Sequence, residues 1–295
     1  MPSPPATELT RTLSCKDGVV LSYRVVPAET EAAPALLLLH GLGSNHTRWS
    51  EFVERSTLRG RRALLRPDLR GYGESGSGGR IGLEIWADDL AALLDREGHT
   101  TAFLVGHSLG AQIALGFAQR HPARCAGLVL IDPVLRDALH GRLRFLAALA
   151  PALRGLALIV RALNALGLRR RRLPTLDLRE LDRQARQALA SPGGRTAFLR
   201  RYSSRRENLR HTRSAAYLQS VAELFRAAPP FASLPMPVLA LLSNSTGFAD
   251  AQATRECLQA LPRLTLQPLD GHHWALTEQP EVVREAIERW IETLP

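Results

Sequence analysis

The chain has 295 residues, 45% of them hydrophobic and 22% charged, with a formal net charge of +10, the ordinary balance of a soluble globular protein with a large core. No apolar run of about 18 residues is free of charge, so no transmembrane helix is predicted, and Met1 to Thr7 lacks the basic and apolar regions of a secretory signal, which makes a cytoplasmic address the default. Three cysteines, Cys15, Cys125 and Cys257, are odd in number, far apart and without metal-ligand spacing, so reduced structural thiols are expected rather than a disulfide or a zinc site.

Leu13 to Val26 reads as a β-hairpin turning at Asp17-Gly18. After a polar linker, Ala35 to Leu39 is wholly apolar, the pattern of a strand buried on both faces of a parallel sheet, and it runs into His40-Gly41-Leu42-Gly43. Glycines at the end of a buried strand free the backbone for a sharp bend, although the same residues also suit a plain strand-to-helix turn. Trp49 to Arg59 suits a helix and Arg62 to Arg66 a strand, which leads into Asp68-Leu69-Arg70-Gly71-Tyr72-Gly73-Glu74-Ser75 and a Gly/Ser loop to Gly82. Ile85 to Glu97 repeats apolar residues at helical spacing, and Thr101 to Val105 is the next strand.

That strand enters Gly106-His107-Ser108-Leu109-Gly110, with a helix pattern from Ala111 to Gln119 behind it. Gly-x-Ser-x-Gly between a strand and a helix is the context of a nucleophile elbow. A serine on so sharp a turn exposes its hydroxyl, and side chains two positions either side would collide, so Gly106 and Gly110 leave room. The first turn of the helix has free N–H groups; that of Leu109, joined by that of Leu42, is aimed where an oxyanion would form. His121-Pro122 stops the helix, and Gly127 to Ile131 is another buried strand, closing on Asp132-Pro133. Repeated alternation of strand and helix predicts an α/β fold with a mostly parallel central sheet flanked by helices.

The alternation stops at Val134, and helical patterns run from there to Pro230. This stretch carries 20 Arg against 6 Asp plus Glu, a net of +14, which leaves the rest of the chain at −4. Aromatic residues are sparse in it and no recognition motif is present, so a solvated helical surface is preferred to a nucleic-acid site. Leu143 to Leu168, rich in Leu and Ala but interrupted by Arg144, Pro151, Arg154 and Arg161, fits two helices with an apolar and an Arg face. Such a face packs on the domain below, lines a lipophilic pocket or touches a membrane surface. Strand logic resumes with Val238 to Leu242 and Leu264 to Leu266 around a helix from Ala251 to Ala260; Asp270-Gly271-His272-His273-Trp274 and a last helix from Pro280 to Thr293 follow.

The chain resembles an α/β-hydrolase of the serine-nucleophile branch. The resemblance is carried by His40-Gly41-Leu42-Gly43, Asp68 to Ser75, Gly106 to Gly110 and His273-Trp274-Ala275-Leu276-Thr277-Glu278-Gln279-Pro280, in the family's order from Ala35 to Pro280. It implies a core of residues 1–133 and 231–295 and an inserted all-helical cap, 134–230, rich in arginine. A serine hydroxyl is a poor nucleophile at neutral pH and needs a base, and an acid to hold the base's tautomer. The family's register, measured back from Pro280, makes His273 the base; measured forward from Gly271 it lands on His272, and His273 is preferred. Gly41 and His107 are expected at the substrate pocket, His107 as a packing residue. The acid departs from the pattern. Relatives continue Gly-x-x-Asp after the strand ending at Leu242, whereas Ser243-Asn244-Ser245-Thr246 puts Thr246 at the carboxylate's place. Asp132, at a site from which some relatives supply the acid, is the preferred replacement; Asp250, a candidate helix N-cap, is the alternative, and a dyad without either is the third option.

The resemblance implies acyl transfer to water with no metal or organic cofactor, on a carboxylic ester or lactone of a moderately apolar small molecule. With Ser rather than Asp at the elbow, it disfavours epoxide hydrolases and haloalkane dehalogenases. Rival readings are a thioesterase or acyltransferase whose Arg169 to Arg172 docks an acidic carrier protein or coenzyme A, a non-hydrolytic binding member of the fold, and an interfacial lipase. No nucleic-acid partner and no stable membrane insertion are expected.

Overall fold

The computed structural model describes residues 7–29, 33–76, 78–139, 141–168, 170, 173–189, 191, 193–245 and 247–294. Thr246, Arg169, Arg171 and Arg172 lie outside the described residues. Eight strands, β1 (Leu9–Ser14), β2 (Val20–Val26), β3 (Ala35–Leu39), β4 (Leu64–Pro67), β5 (Ala102–His107), β6 (Cys125–Ile131), β7 (Val238–Ser245) and β8 (Leu264–His272), form one sheet in the order β1-β2-β4-β3-β5-β6-β7-β8. The predicted hairpin is β1 against β2, with Leu13 opposite Leu21 and Gly18 at φ +79° in its turn. β2 also pairs antiparallel with β4; all pairs from β4 across to β8 are parallel. The sheet is therefore mostly parallel, as expected.

The helices are α1 (Ser50–Arg55), α2 (Leu83–Arg96), α3 (Leu109–Arg120), α4 (Gly141–Ala148), α5 (Ala150–Ala165), α6 (Leu178–Leu189), α7 (Gly194–Tyr202), α8 (Arg205–His211), α9 (Ser214–Leu224), α10 (Ala251–Leu258), α11 (Ala275–Glu278) and α12 (Pro280–Glu292). The apolar run of β3 is wholly buried, and its period of two splits it between two cores. Leu37 and Leu39 join Trp86 and Leu90 of α2 and Phe117 of α3; Leu36 and Leu38 join Phe52 of α1 and Ile287 and Trp290 of α12. Each such leucine, fully removed from water, contributes roughly 1.5–3 kcal/mol. Helices thus cover both faces, which is why these strands read as continuous apolar runs.

Two elements differ in length from expectation. The helix expected to reach Arg59 ends at Arg55, because Ser56 turns extended and Leu58 leaves the helical path to bury itself in the second core. β8, expected over three residues, continues to His272 along its pairing with β7. Its central residues include polar Gln267 and Asp270 at the sheet edge, so hydrophobicity understated the strand. Between β6 and β7 the described residues form the helices α4 to α9 and no strand of the sheet, with α5 packed along α9 and α6 packed on α7, α11 and the turn His46–Trp49. All three cysteines are free thiols.

Candidate active site

β5 delivers Ser108 into a conformation few residues adopt, φ 55° and ψ −114°, and α3 begins at the next residue. The reversal is so tight that a Cβ on Gly106 would lie 2.3 Å from the Gly110 carbonyl oxygen, and one on Gly110 would lie 2.3 Å from that of Leu39. Only glycine fits at either place, which is the steric reason for the spacing read from the sequence. The strained turn is held by the Ser108 N–H, which donates to the Ile131 carbonyl (3.0 Å). The Gly41-Leu42 turn passes directly over it, since a Cβ on Gly41 would lie 3.3 Å from both Ser108 Cβ and His107 Nδ1.

That turn is fastened from beneath by His40, which is fully buried. Its Nε2 accepts from the Leu69 N–H (3.1 Å), so the proton sits on Nδ1, which donates to the Gly41 carbonyl (2.9 Å). Burial pushes this imidazole down to about 4, keeping it neutral. Asp68, opening the next motif, accepts from the N–H and Nδ1 of His46 and the N–H of Glu74, each at 2.8 Å. Burial raises its carboxyl, and these hydrogen bonds and the neighbouring histidines outweigh that, leaving it below its ordinary value. The two motifs are one braced platform for the turn beside Ser108.

The structure brings His273 to Ser108, with His273 Nε2 2.9 Å from Ser108 Oγ. His272 points elsewhere. As the last residue of β8 it faces the other side of the pleat, where its N–H (3.1 Å) and Nδ1 (3.0 Å) meet the Glu278 carboxylate. His107 lies beside the pair; its Nε2 donates to the His273 carbonyl (2.7 Å) and its ring centroid is 5.0 Å from that of His273. Burial takes His107 down to about 4, and burial together with His107 holds His273 well below its ordinary value, so both rings are neutral at pH 7. His273 can therefore accept a proton from Ser108. Its Nδ1 is buried and has no hydrogen-bond partner among the described residues.

The two carboxylates weighed from the sequence have different surroundings. Asp250 is the N-cap of α10, its Oδ1 accepting from the Ala253 N–H (2.7 Å). Asp132 sits at φ 45° just past β6, almost wholly buried. It accepts from the N–H (2.7 Å) and hydroxyl (2.6 Å) of Ser243 on neighbouring β7, and that hydroxyl is also 2.8 Å from the His272 carbonyl. Burial pushes the Asp132 carboxyl up to about 7, against the two hydrogen bonds from Ser243 that lower it. Adjacent strands β6, β7 and β8 thus bring Asp132, Ser243 and the His272-His273 corner to one end of the sheet.

Above Ser108 opens a cavity of about 550 Å3. Gly41, Leu42, His107, Ser108 and His273 form its floor; Leu143, Leu146, Leu153, Leu178 and Leu181 from the helices between β6 and β7 form its apolar walls. A group absent from the sequence reading joins the two. Arg48 Nη1 donates to Asp182 Oδ2 of α6 (2.6 Å) and to Thr277 Oγ1 of α11 (2.7 Å); Tyr202 of α7 and Thr277 both donate to Asp182 Oδ1, at 2.6 and 3.1 Å. Phe198, Tyr202 and Phe248 each meet the Trp274 ring edge to face. Nothing in the charged pattern of α6 singles Asp182 out, because its partners Arg48, Thr277 and Tyr202 are 134, 95 and 20 residues away. Of the Arg169 to Arg172 run, Arg170 has a structural use, donating to the Leu209 and Thr212 carbonyls.

A family model described as the alpha/beta hydrolase fold matches residues 34–280. Among curated proteins, the chain is 31% identical over 112 residues to a mouse sn-1-specific diacylglycerol lipase (38% of this chain, 36% of that one). It is 32% identical over 130 residues to epoxide hydrolase B of Mycobacterium tuberculosis (43% and 36%). With 2-hydroxymuconate semialdehyde hydrolase of Pseudomonas sp. strain CF600 it shares 34% over 99 residues (32% and 35%). These matches span about a third of each relative's length. Solved structures agree over nearly the whole chain: a thermophilic esterase from Thermogutta terrifontis has a TM-score of 0.67 at 22% identity, covering 98% of this chain and 99% of that one. The enol-lactonase from Burkholderia xenovorans LB400 has 0.67 at 21%, covering 96% and 100%. An eight-stranded sheet with this order, a strained serine between β5 and α3, and a family match across all four motifs lead to one assignment: the chain belongs to the α/β-hydrolase fold family.

Proposed function

We propose that the protein is a serine hydrolase that cleaves a carboxylic ester or lactone of a moderately apolar small molecule, with water as the final acceptor. The observation that carries this reading is the 2.9 Å approach of His273 Nε2 to Ser108 Oγ at the floor of a leucine-lined cavity. Ser108 attacks the carbonyl carbon as its proton passes to His273; the Leu42 and Leu109 N–H groups receive the oxyanion, each such donor being worth about 100-fold or more in rate. His273 returns the proton to the departing alkoxide, and water repeats the sequence on the acyl-enzyme. In this reading Asp132, at the end of β6, is the acid of the set, and the helices between β6 and β7 are the cap. The mouse relative is named a diacylglycerol lipase, an ester hydrolase, in keeping with this chemistry. The mycobacterial relative is named an epoxide hydrolase. A serine at the elbow would leave an ether in place of a cleavable ester after epoxide opening, which favours carbonyl substrates for this chain.

The test is reaction of the purified protein with a fluorophosphonate followed by intact mass. A single adduct on the wild type and none on Ser108→Ala or His273→Ala is expected, along with turnover of p-nitrophenyl butyrate by the wild type alone. No adduct on folded wild type would refute the reading in favour of a non-hydrolytic binding protein. Turnover of a carrier-bound thioester that collapses with salt, while the simple ester is ignored, would transfer the chemistry to the thioesterase class.

A further inference from the structure

The pair α4–α5 is apolar on both sides. Inward, Leu143, Leu146 and Leu153 line the cavity. Outward, Phe145 is 68% exposed, Leu158 62%, Ile159 59%, Leu166 79% and Leu168 69%. Among the described residues, eight of the eleven large hydrophobic side chains exposed to this degree lie between 145 and 168, and the other three are scattered. At about 100° per residue, Ala152, Leu156, Ile159 and Leu163 fall on one stripe of α5, with Leu158, Ala162 and Leu166 beside it. Half of the helix's circumference is thus apolar and in water. So broad an apolar face in water marks a surface that another apolar medium covers.

The charge says which medium. Between Asp137 and Asp177 there is no acidic residue and there are eight arginines. On α5, Arg154, which also pairs with the Glu223 carboxylate of α9 (3.5 Å), and Arg161 share the edge where the outward apolar arc ends, and Arg144 is exposed on α4. Two copies of such a face would set arginine against arginine, which opposes self-association. An apolar strip bordered by guanidinium groups matches a surface with phosphates above hydrocarbon. With 16 residues, α5 spans about 24 Å, short of a hydrocarbon core of about 30 Å, and no described helix is long and apolar enough to cross a membrane. A helix of this length fits along such a surface rather than across it.

We propose that the outward face of α4 and α5 docks the protein on an anionic lipid bilayer, bringing the wall of the cavity against the lipid. Docking is a property of this face alone and stands whether or not Ser108 is a working nucleophile.

The experiment is co-sedimentation of the full chain with vesicles of phosphatidylcholine, with and without phosphatidylglycerol. Binding to the anionic vesicles is expected, with weak binding to neutral ones. Leu158→Glu with Ile159→Glu, both outside the cavity, should weaken binding by about tenfold or more. Arg144→Gln with Arg161→Gln should remove about fivefold per arginine from the anionic preference alone. Unchanged melting temperatures show that both variants fold. No binding to anionic vesicles, equal binding to neutral ones, or wild-type binding by the glutamate variant would each overturn the proposal. So would a concentration-dependent dimer abolished by the glutamate pair in a protein that ignores vesicles.

Discussion

Replacing Ser243 by alanine tests whether Asp132 serves the Ser108–His273 pair. Burial has taken the Asp132 carboxyl from 3.8 to about 7, and the Ser243 hydroxyl at 2.6 Å is the strongest force acting the other way. A hydrogen bond to a charged group is worth about 1.5–3 kcal/mol; at roughly 1.4 kcal/mol per pH unit, its loss should raise the Asp132 value by about 1–2 units. His273 is held neutral across the neutral range, so a limb of kcat/KM near pH 7 belongs to Asp132 rather than to the base. The wild type should therefore gain activity as pH rises through about 7. Ser243→Ala should show the same limb displaced upward by about 1–2 units, lose roughly tenfold or more at neutral pH, and recover in alkali. Ser243→Thr, which keeps the hydroxyl, should return the midpoint. The assay is kcat/KM for p-nitrophenyl butyrate as a function of pH. A loss equal at every pH, or a wild-type profile flat through neutrality, would refute the coupling of Asp132 to the reaction.

Stability should carry the same signature. The folded value of Asp132 lies above its ordinary 3.8, so between 3.8 and about 7 the folded chain holds a proton that the unfolded chain has released. Its contribution is fully present below the unfolded value and is lost as pH rises to the folded one, a decline of about 4 kcal/mol. Asp132→Asn should abolish that decline, so that urea midpoints of the variant overtake the wild type at alkaline pH, while kcat falls by up to about 10,000-fold. A slope identical to the wild type's would show that the carboxyl is not the buried acid. For the polar group beneath the cavity, Arg48→Met alone should cost about 3–5 kcal/mol in chemical denaturation, because it strands the buried Asp182 carboxylate. Adding Asp182→Leu should recover most of that loss; strict additivity of the two would disprove a mutual pairing.

The identity of the strands, the α/β alternation and the elbow were legible because each rests on local patterning. Five apolar residues of β3 need two covered faces, and Gly106 and Gly110 are demanded by a turn that spans only five residues. The order of the four motifs along the chain identified the family for the same reason. What lay beyond local reach was decided by pairing across the sheet. His272 and His273 are chemically identical neighbours, and only the pleat at the end of β8 sends one to Glu278 and the other to Ser108. Asp132 and Ser243 are separated by 111 residues and meet because β6 and β7 are adjacent. Thr246, which drew notice as the vacant acid position, lies outside the described residues, and the hydroxyl that matters to Asp132 belongs to Ser243. The Leu/Ala pattern predicts helices with one apolar face; α5 has apolar residues on both sides, one walling the cavity and one in water. The sequence by itself determined which residues could carry acyl-transfer chemistry and in what fold. Tertiary structure alone decided which histidine meets the serine, what holds the buried carboxylate and which apolar face stays uncovered, because those depend on register and packing between segments that no local pattern links.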